Sequence, residues 1–207
     1  MDGLLSQMTK RPALICQEAW QIKPLAAVPP SSWKNGGGLT RELVAWPNAQ
    51  DWVWRMSVAE VALSGPFSRF DGVQRWFAVL SGAGVRLKMG LQAVAQVTTL
   101  TSASAPLCFD GEQPVQCTLL DGPTQDFNLM LRRDRATARM ERVNSDLSVL
   151  INTMKTVAVY AIQTGARVHF DDEVLDLPAH TLAWRTCPAG TRLRIEGEQV
   201  LWMEINT

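Results

Sequence analysis

Phe77-Ala78-Val79-Leu80-Ser81-Gly82-Ala83-Gly84-Val85-Arg86-Leu87 runs as an apolar strand, a glycine turn and an alternating strand. The same order returns in the second half as Ala158-Val159-Tyr160-Ala161-Ile162-Gln163-Thr164-Gly165-Ala166-Arg167-Val168. Each copy is followed by a proline-containing turn and a further strand, Ala105-Pro106-Leu107 in one and Pro178-Ala179-His180 in the other. Such self-similarity predicts two related β-barrels in one chain, joined through the polar stretch from Arg133 to Ser148. Chance matches of this kind arise in any all-β chain, so the surrounding pattern has to carry the same conclusion.

It is consistent with that conclusion. Helical periodicity is scarce, and short apolar runs broken by Gly, Pro, Asn and Asp dominate. Strands are predicted over 39–46, 52–61, 75–80, 85–88, 93–100, 115–121, 127–132, 157–163, 166–170, 181–185, 191–196 and 199–205. In 52–61, Trp52, Trp54, Met56 and Val58 alternate with Val53, Arg55, Ser57 and Ala59. Period two therefore puts Arg55 and Ser57 on one face. Many short strands at close spacing indicate a sandwich or a barrel.

The chain has 207 residues, enough for one sizeable core or two fused small ones. Its 20 Lys and Arg balance 20 Asp and Glu, which argues against a nucleic-acid partner. Cys16, Cys108, Cys117 and Cys187 lie far apart without metal or redox spacing and read as reduced thiols. No signal-peptide pattern opens the chain, and no apolar run approaches the ~20 residues that span a bilayer. A cytoplasmic protein without a membrane role is expected.

Chemistry concentrates between Trp33 and Arg75. Trp33-Lys34-Asn35-Gly36-Gly37-Gly38-Leu39-Thr40-Arg41-Glu42 lacks the Gly-Lys-Ser/Thr of a phosphate loop, and Gly82-x-Gly84 lacks a third glycine and a helix. The glycines after Asn35 suit either a surface turn or a close approach of backbone N–H groups to a carboxylate. His169 and His180 are the only histidines, which disfavours a metal site. Arg55 and Arg75 stand inside strand-like runs, where a lone guanidinium is costly to bury. Either they pair with Glu42, Glu60 or Asp126, or they face a cavity that takes an anion. Asp126-Phe127-Asn128 adds a second polar insertion ahead of Leu129-Met130-Leu131.

At these residues the chain resembles the HutD/Ves family of two-barrel cupins. The match is carried by Trp33 to Glu42, by Trp54-Arg55-Met56-Ser57-Val58-Ala59 with Gly65-Pro66-Phe67-Ser68-Arg69-Phe70, and by Leu120-Asp121-Gly122-Pro123-Thr124-Gln125-Asp126-Phe127-Asn128-Leu129-Met130. The resemblance spans roughly residues 28–135. It implies an all-β, cupin-like double β-barrel of the jelly-roll type (a bicupin) with few short helices. The expected division is an N-terminal extension over 1–20, a barrel over 21–135 and a smaller barrel over 150–207, packed as one unit. Cupin enzymes typically hold a metal with histidines and a glutamate. Here Ser68 to Val79 has no histidine, and Arg75 sits near the place of the glutamate. A cation there disfavours a metal and favours a carboxylate. HutD proteins are associated with histidine utilisation, Ves proteins with stress and cold induction.

The resulting expectation is a metal-free, cofactor-free cupin that binds a carboxylate metabolite resembling formylglutamate or urocanate and regulates amino-acid utilisation or a stress response. Lys34, Arg41, Arg55 and Arg75 would supply charge, and Asn35, Ser57 and Asn128 would orient the ligand. Trp33, Trp54 and Phe67 would wall the pocket. A metal-independent lyase, isomerase or hydrolase, with Glu42 or Asp126 as general base, is the alternative. A partner-binding surface and a closed ion-pair network stand beside both. A homodimer follows by analogy alone.

Overall fold

The structure is a computed structural model that describes residues 19–90 and 95–207. Cys16, most of the expected extension over 1–20 and the start of the strand expected over 93–100 lie outside the described residues. In the first half the strands are β1 (Gln21–Pro24), β2 (Ser31–Ser32), β3 (Gly38–Trp46), β4 (Trp54–Val61), β5 (Gly65–Pro66), β6 (Val73–Ser81), β7 (Val85–Met89), β8 (Gln96–Leu100), β9 (Leu107–Asp110), β10 (Val115–Leu119) and β11 (Thr124–Arg132). In the second half they are β12 (Thr137–Val143), β13 (Leu147–Leu150), β14 (Lys155–Ala161), β15 (Ala166–Phe170), β16 (Glu173–Leu177), β17 (Thr181–Cys187), β18 (Arg192–Glu196) and β19 (Val200–Asn206). A 3-10 turn over Leu25–Ala27 is the one helical element among the described residues.

The strands form four antiparallel sheets. Two belong to the first unit, β2-β3-β4-β11-β6-β9 and β5-β10-β7-β8, and two to the second, β1-β17-β14-β19-β12 and β13-β18-β15-β16. The sheet orders reveal the duplication. The run β4-β11-β6-β9 maps onto β12-β19-β14-β17, and β5-β10-β7-β8 maps onto β13-β18-β15-β16. Every strand from β4 to β11 thus has a counterpart from β12 to β19, in chain order. The repeated strand-turn-strand segments are β6–β7 and β14–β15 of this scheme. The all-β cupin-like double barrel expected from the sequence is the fold observed.

Sheet membership does not follow chain order at the edges. β1 pairs with β17, Ile22 opposite Ala183, so residues 21–24 extend the sheet of the second unit. The stretch expected to be a polar join contains β12 and the start of β13. Ala138 and Met140 alternate into the shared core there, while Arg139 and Glu141, on the β12 face that also carries Val143, pair at 2.7 Å. The density of arginines concealed the period-two pattern.

The two large sheets pack back to back. Their shared core takes Trp54, Met56, Val58, Ala78, Leu80, Phe127, Leu129 and Leu131 from the first unit and Ala158, Tyr160, Leu182, Leu201, Met203 and Ile205 from the second. Phe127 and Tyr160 meet at its centre with ring centroids 5.0 Å apart. Two further cores fill the barrels themselves. Val61, Phe77, Val79, Leu87 and Cys117 belong to the first, and Val157, Val159, Phe170, Ile195 and Trp202 to the second. β11 is consequently buried on both faces, which explains its near-continuous burial from Asp126 to Leu131. Replacing Phe127 with Ala removes the ring at the centre of the shared core. A loss of about 3–5 kcal/mol is expected, read by urea denaturation.

Candidate ligand site in the first barrel

Strand pairing stacks the polar residues of the first barrel in three levels. β11 lies between β4 and β6, so each inward residue of β11 faces one neighbour on either side. Met130 stands between Arg55 and Arg75, Asn128 between Ser57 and Phe77, and Asp126 between Ala59 and Val79. Alternation then turns Asp126, Asn128 and Met130 into the barrel, while Phe127, Leu129 and Leu131 enter the shared core.

Arg75 is 6% exposed and Asp126 1% exposed. An Asn128 carboxamide links them. Arg75 Nη2 donates to Asn128 Oδ1 at 2.8 Å, and Asn128 Nδ2 donates to Asp126 Oδ1 at 2.6 Å. The amide must point this way, because a guanidinium has only donors and the carboxyl supplies the acceptor. Among the described residues no carboxylate comes within 4.0 Å of Arg75. Arg75 Nε and Asp126 Oδ2 are buried without hydrogen-bond partners.

Aromatic rings take the place of water around the cations. The Arg75 guanidinium lies 5.2 Å from the centroids of Phe67 and Phe109 and 5.7 Å from Phe70. Phe70 also stands 5.1 Å from Arg55. Arg55 lies 4.9 Å from Trp52, whose ring is 4.7 Å from Arg132. Three arginines and two rings thus alternate from the interior toward the rim. Cation–π contacts offset part of the desolvation cost. Glu42 is the rim carboxylate: its Oε2 lies 3.5 Å from Arg55 Nη1 and its side chain is 41% exposed.

Burial dominates the electrostatics. It lowers Arg75 to about 10, and the nearby Asp126 resists that shift, so Arg75 remains a cation near neutrality. Burial lowers Arg55 as well, against the pull of Glu42. Asp126 is pushed up to about 7 by burial, opposed by Arg75 and by the Asn128 hydrogen bond. The interior is therefore cationic with one carboxyl poised near neutrality. That donor set does not suit a divalent metal, because a single buried carboxyl and an amide share the space with a guanidinium. Among the described residues no cluster of three His, Cys, Asp or Glu is placed to hold one.

The fold gathers Glu42, Arg55, Ser57, Phe67, Arg75, Asp126 and Asn128 into one barrel. It does not gather the rest. Gly38 pairs with Val61, at the opposite end of β4 from Arg55, and Lys34 and Asn35 are exposed beyond it. Asn35 Oδ1 accepts from Gly37 N at 3.0 Å, and Gly36 N donates to Trp33 O at 3.0 Å, so the glycine turn satisfies itself. A Cβ on Gly38 would lie 2.3 Å from Glu60 O and 3.1 Å from the Trp33 ring, so that position admits only glycine. Trp33 is one ring removed from the site, edge-on to Phe67 at 6.5 Å, with Nε1 donating to Thr40 Oγ1. Arg41 points to the other face and donates to the Val28 carbonyl. Trp54 stacks on Trp46 at 5.9 Å in the shared core. It was expected as a pocket wall, yet period two turns it away from Arg55. Trp52 does the reverse: it lies ahead of β4, escapes its alternation and packs beside Arg55. Trp52, Phe70, Phe109 and Met130 went unpredicted. Phe70 closes the Gly65 to Phe70 motif, and Trp52 lies two residues ahead of the Trp54 to Ala59 motif, but nothing local marks Phe109.

The model of the HutD family matches residues 25–203. The chain belongs to the HutD family. The match runs through the second barrel, well beyond the stretch near 28–135 whose motifs carry the resemblance. Protein Ves of Cronobacter sakazakii is 33% identical over 179 residues, covering 86% of this chain and 94% of Ves. HutD from Pseudomonas fluorescens superposes with a TM-score of 0.77 at 27% identity, over 91% of this chain and 98% of that one. Oxalate decarboxylase from Lactobacillus farciminis shares the fold alone, with a TM-score of 0.62 at 9% identity over 89% and 85%.

The Asp126 carboxyl holds its proton to higher pH folded than unfolded. Its contribution to stability is full below the ordinary carboxylate range near 4 and is lost as pH rises through about 7. Asp126→Asn should therefore melt higher than wild type at about pH 8 and lose that advantage at about pH 4. Each kcal/mol corresponds to roughly 2–4 °C in a chain of this size. Calorimetric melting across this range checks it.

Proposed function

We propose that the first barrel binds a small carboxylate metabolite, similar to formylglutamate or urocanate, and that the protein regulates amino-acid utilisation or a stress response through that binding. One observation carries the reading: Arg75 is a buried cation that hydrogen-bonds an amide, with Nε unpartnered and no carboxylate in ion-pair range among the described residues. Burying a charge in that way is costly unless an anion completes it. A ligand carboxylate anchored on Arg75 would lie between Phe67, Phe70 and Phe109, with Arg55 closer to the rim and Ser57 and Asn128 alongside. The association of related proteins named HutD and Ves with histidine utilisation and stress supplies the physiological half of the reading.

Titration calorimetry with formylglutamate, urocanate and formate tests the binding half. Arg75→Gln is expected to weaken binding by at least about tenfold, as removal of a buried charged partner does. Lys34→Ala is expected to leave it unchanged. A loss confined to Lys34→Ala would move the site to the glycine turn, and no binding by folded wild type at millimolar ligand would overturn the reading.

A second reading has its own support. A carboxyl at about 7 is matched to general acid–base work at physiological pH. If the protein turns over such an acid, Asp126→Asn should abolish turnover while Glu42→Gln at the exposed rim retains most of it, measured by product formation with saturating ligand.

A further inference from the structure

Asp126 lies too deep to be a rim contact, and it lacks a direct cation. Its Oδ1 accepts a hydrogen bond from the Asn128 amide, and Oδ2 is buried without a partner among the described residues. An ionised carboxylate left in this state is costly, whereas a protonated one leaves a hydroxyl aimed at nothing the described chain provides. At the other end of the same amide, Arg75 presents an unpartnered Nε. The two orphaned groups therefore flank one carboxamide, and each is able to hydrogen-bond a ligand oxygen.

We propose that anion binding at Arg75 and protonation of Asp126 are coupled through the Asn128 carboxamide, so that the first barrel takes up a carboxylate together with a proton. This rests on the reading of Arg75 as a carboxylate site. Free of ligand, the Arg75 charge favours the Asp126 carboxylate, the opposing influence to burial. An anion on Arg75 cancels that field and adds repulsion of its own, so the proton is held more firmly. The other groups acting here are few. Cys117 reaches the same space from β10, and burial pushes its thiol up to about 12, so it stays neutral. Arg55 acts on Arg75 from β4. Asp126 is thus a positioning residue that sets when the site accepts its ligand.

Calorimetry with formylglutamate, urocanate and formate in buffers of differing ionisation enthalpy counts the protons taken up on binding. The expected result is uptake approaching one proton and an affinity that falls by up to about tenfold from about pH 7 to about pH 8. In Asp126→Asn the uptake and the pH slope should both vanish while binding persists. Binding without proton uptake, or a slope that survives in Asp126→Asn, overturns the proposal. Should none of these acids bind folded protein, the carboxylate reading of Arg75 falls. The linkage is then decided in free protein by carbon-13 NMR of labelled aspartate. Arg75→Gln must raise the Asp126 midpoint above its wild-type value near 7, and an Asp126 midpoint in the ordinary range near 4, unmoved by Arg75→Gln, overturns it.

Discussion

β11 is buried on both faces, and most of the molecule depends on that constraint. Its outward residues, Phe127, Leu129 and Leu131, complete the core between the barrels. Its inward residues, Asp126, Asn128 and Met130, enter the first barrel between β4 and β6. Because side chains alternate with period two, the apolar set cannot be seated against the second barrel without carrying the polar set inward. Register is therefore pinned by hydrophobic packing, and the packing in turn delivers a carboxyl and an amide to a space they would not occupy by themselves. Arg75 and Arg55 arrive by the same rule on the flanking strands.

Duplication shows what this arrangement replaces. The second barrel repeats the strand order of the first, but its interior is filled. Val157, Val159 and Ala161 of β14 and Val200 and Trp202 of β19 lie in its core, on the strands that correspond to β6 and β11. Trp202 on β19 is fully buried in that core, whereas β11 turns Asp126, Asn128 and Met130 into the first barrel. The second unit also carries a buried arginine, Arg185, but on β17, with its guanidinium 3.7 Å from Phe170 and paired with Glu173 at 3.2 Å. One fold thus supports a solid core in one copy and a charged interior in the other. The core shared by the two large sheets joins the units, and β1, which precedes the first unit in the chain, pairs with β17 of the second.

Much of this was legible in the sequence. The strand-turn-strand repeat and the short alternating runs led to a double barrel. Arg55, Ser57, Arg75, Asp126 and Asn128 stood out because polar groups inside apolar strands demand a partner. Other expectations gave way for identifiable reasons. Lys34 and Asn35 adjoin the motif in sequence, but β3 and β4 run antiparallel and carry them to the far end of the barrel. β12 was hidden by arginines between its apolar residues, Arg139 pairing with Glu141 and Arg142 donating to the Ser104 and Val79 carbonyls.

The sequence alone determined the periodicities, and with them the all-β architecture, its duplication and the kind of residue that faces inward. It did so because strand alternation and glycine turns are local, set by neighbours a few positions apart. Only the tertiary structure decided which inward residues meet. Trp54 and Trp52 look equivalent two residues apart, yet one stacks in the shared core and the other lies beside Arg55. Asp126 and Arg75 come within reach of one amide only because β11 pairs with β6 across a long connection. Whether a buried charge is neutralised or left for a ligand depends on such distant pairings, which no local pattern encodes.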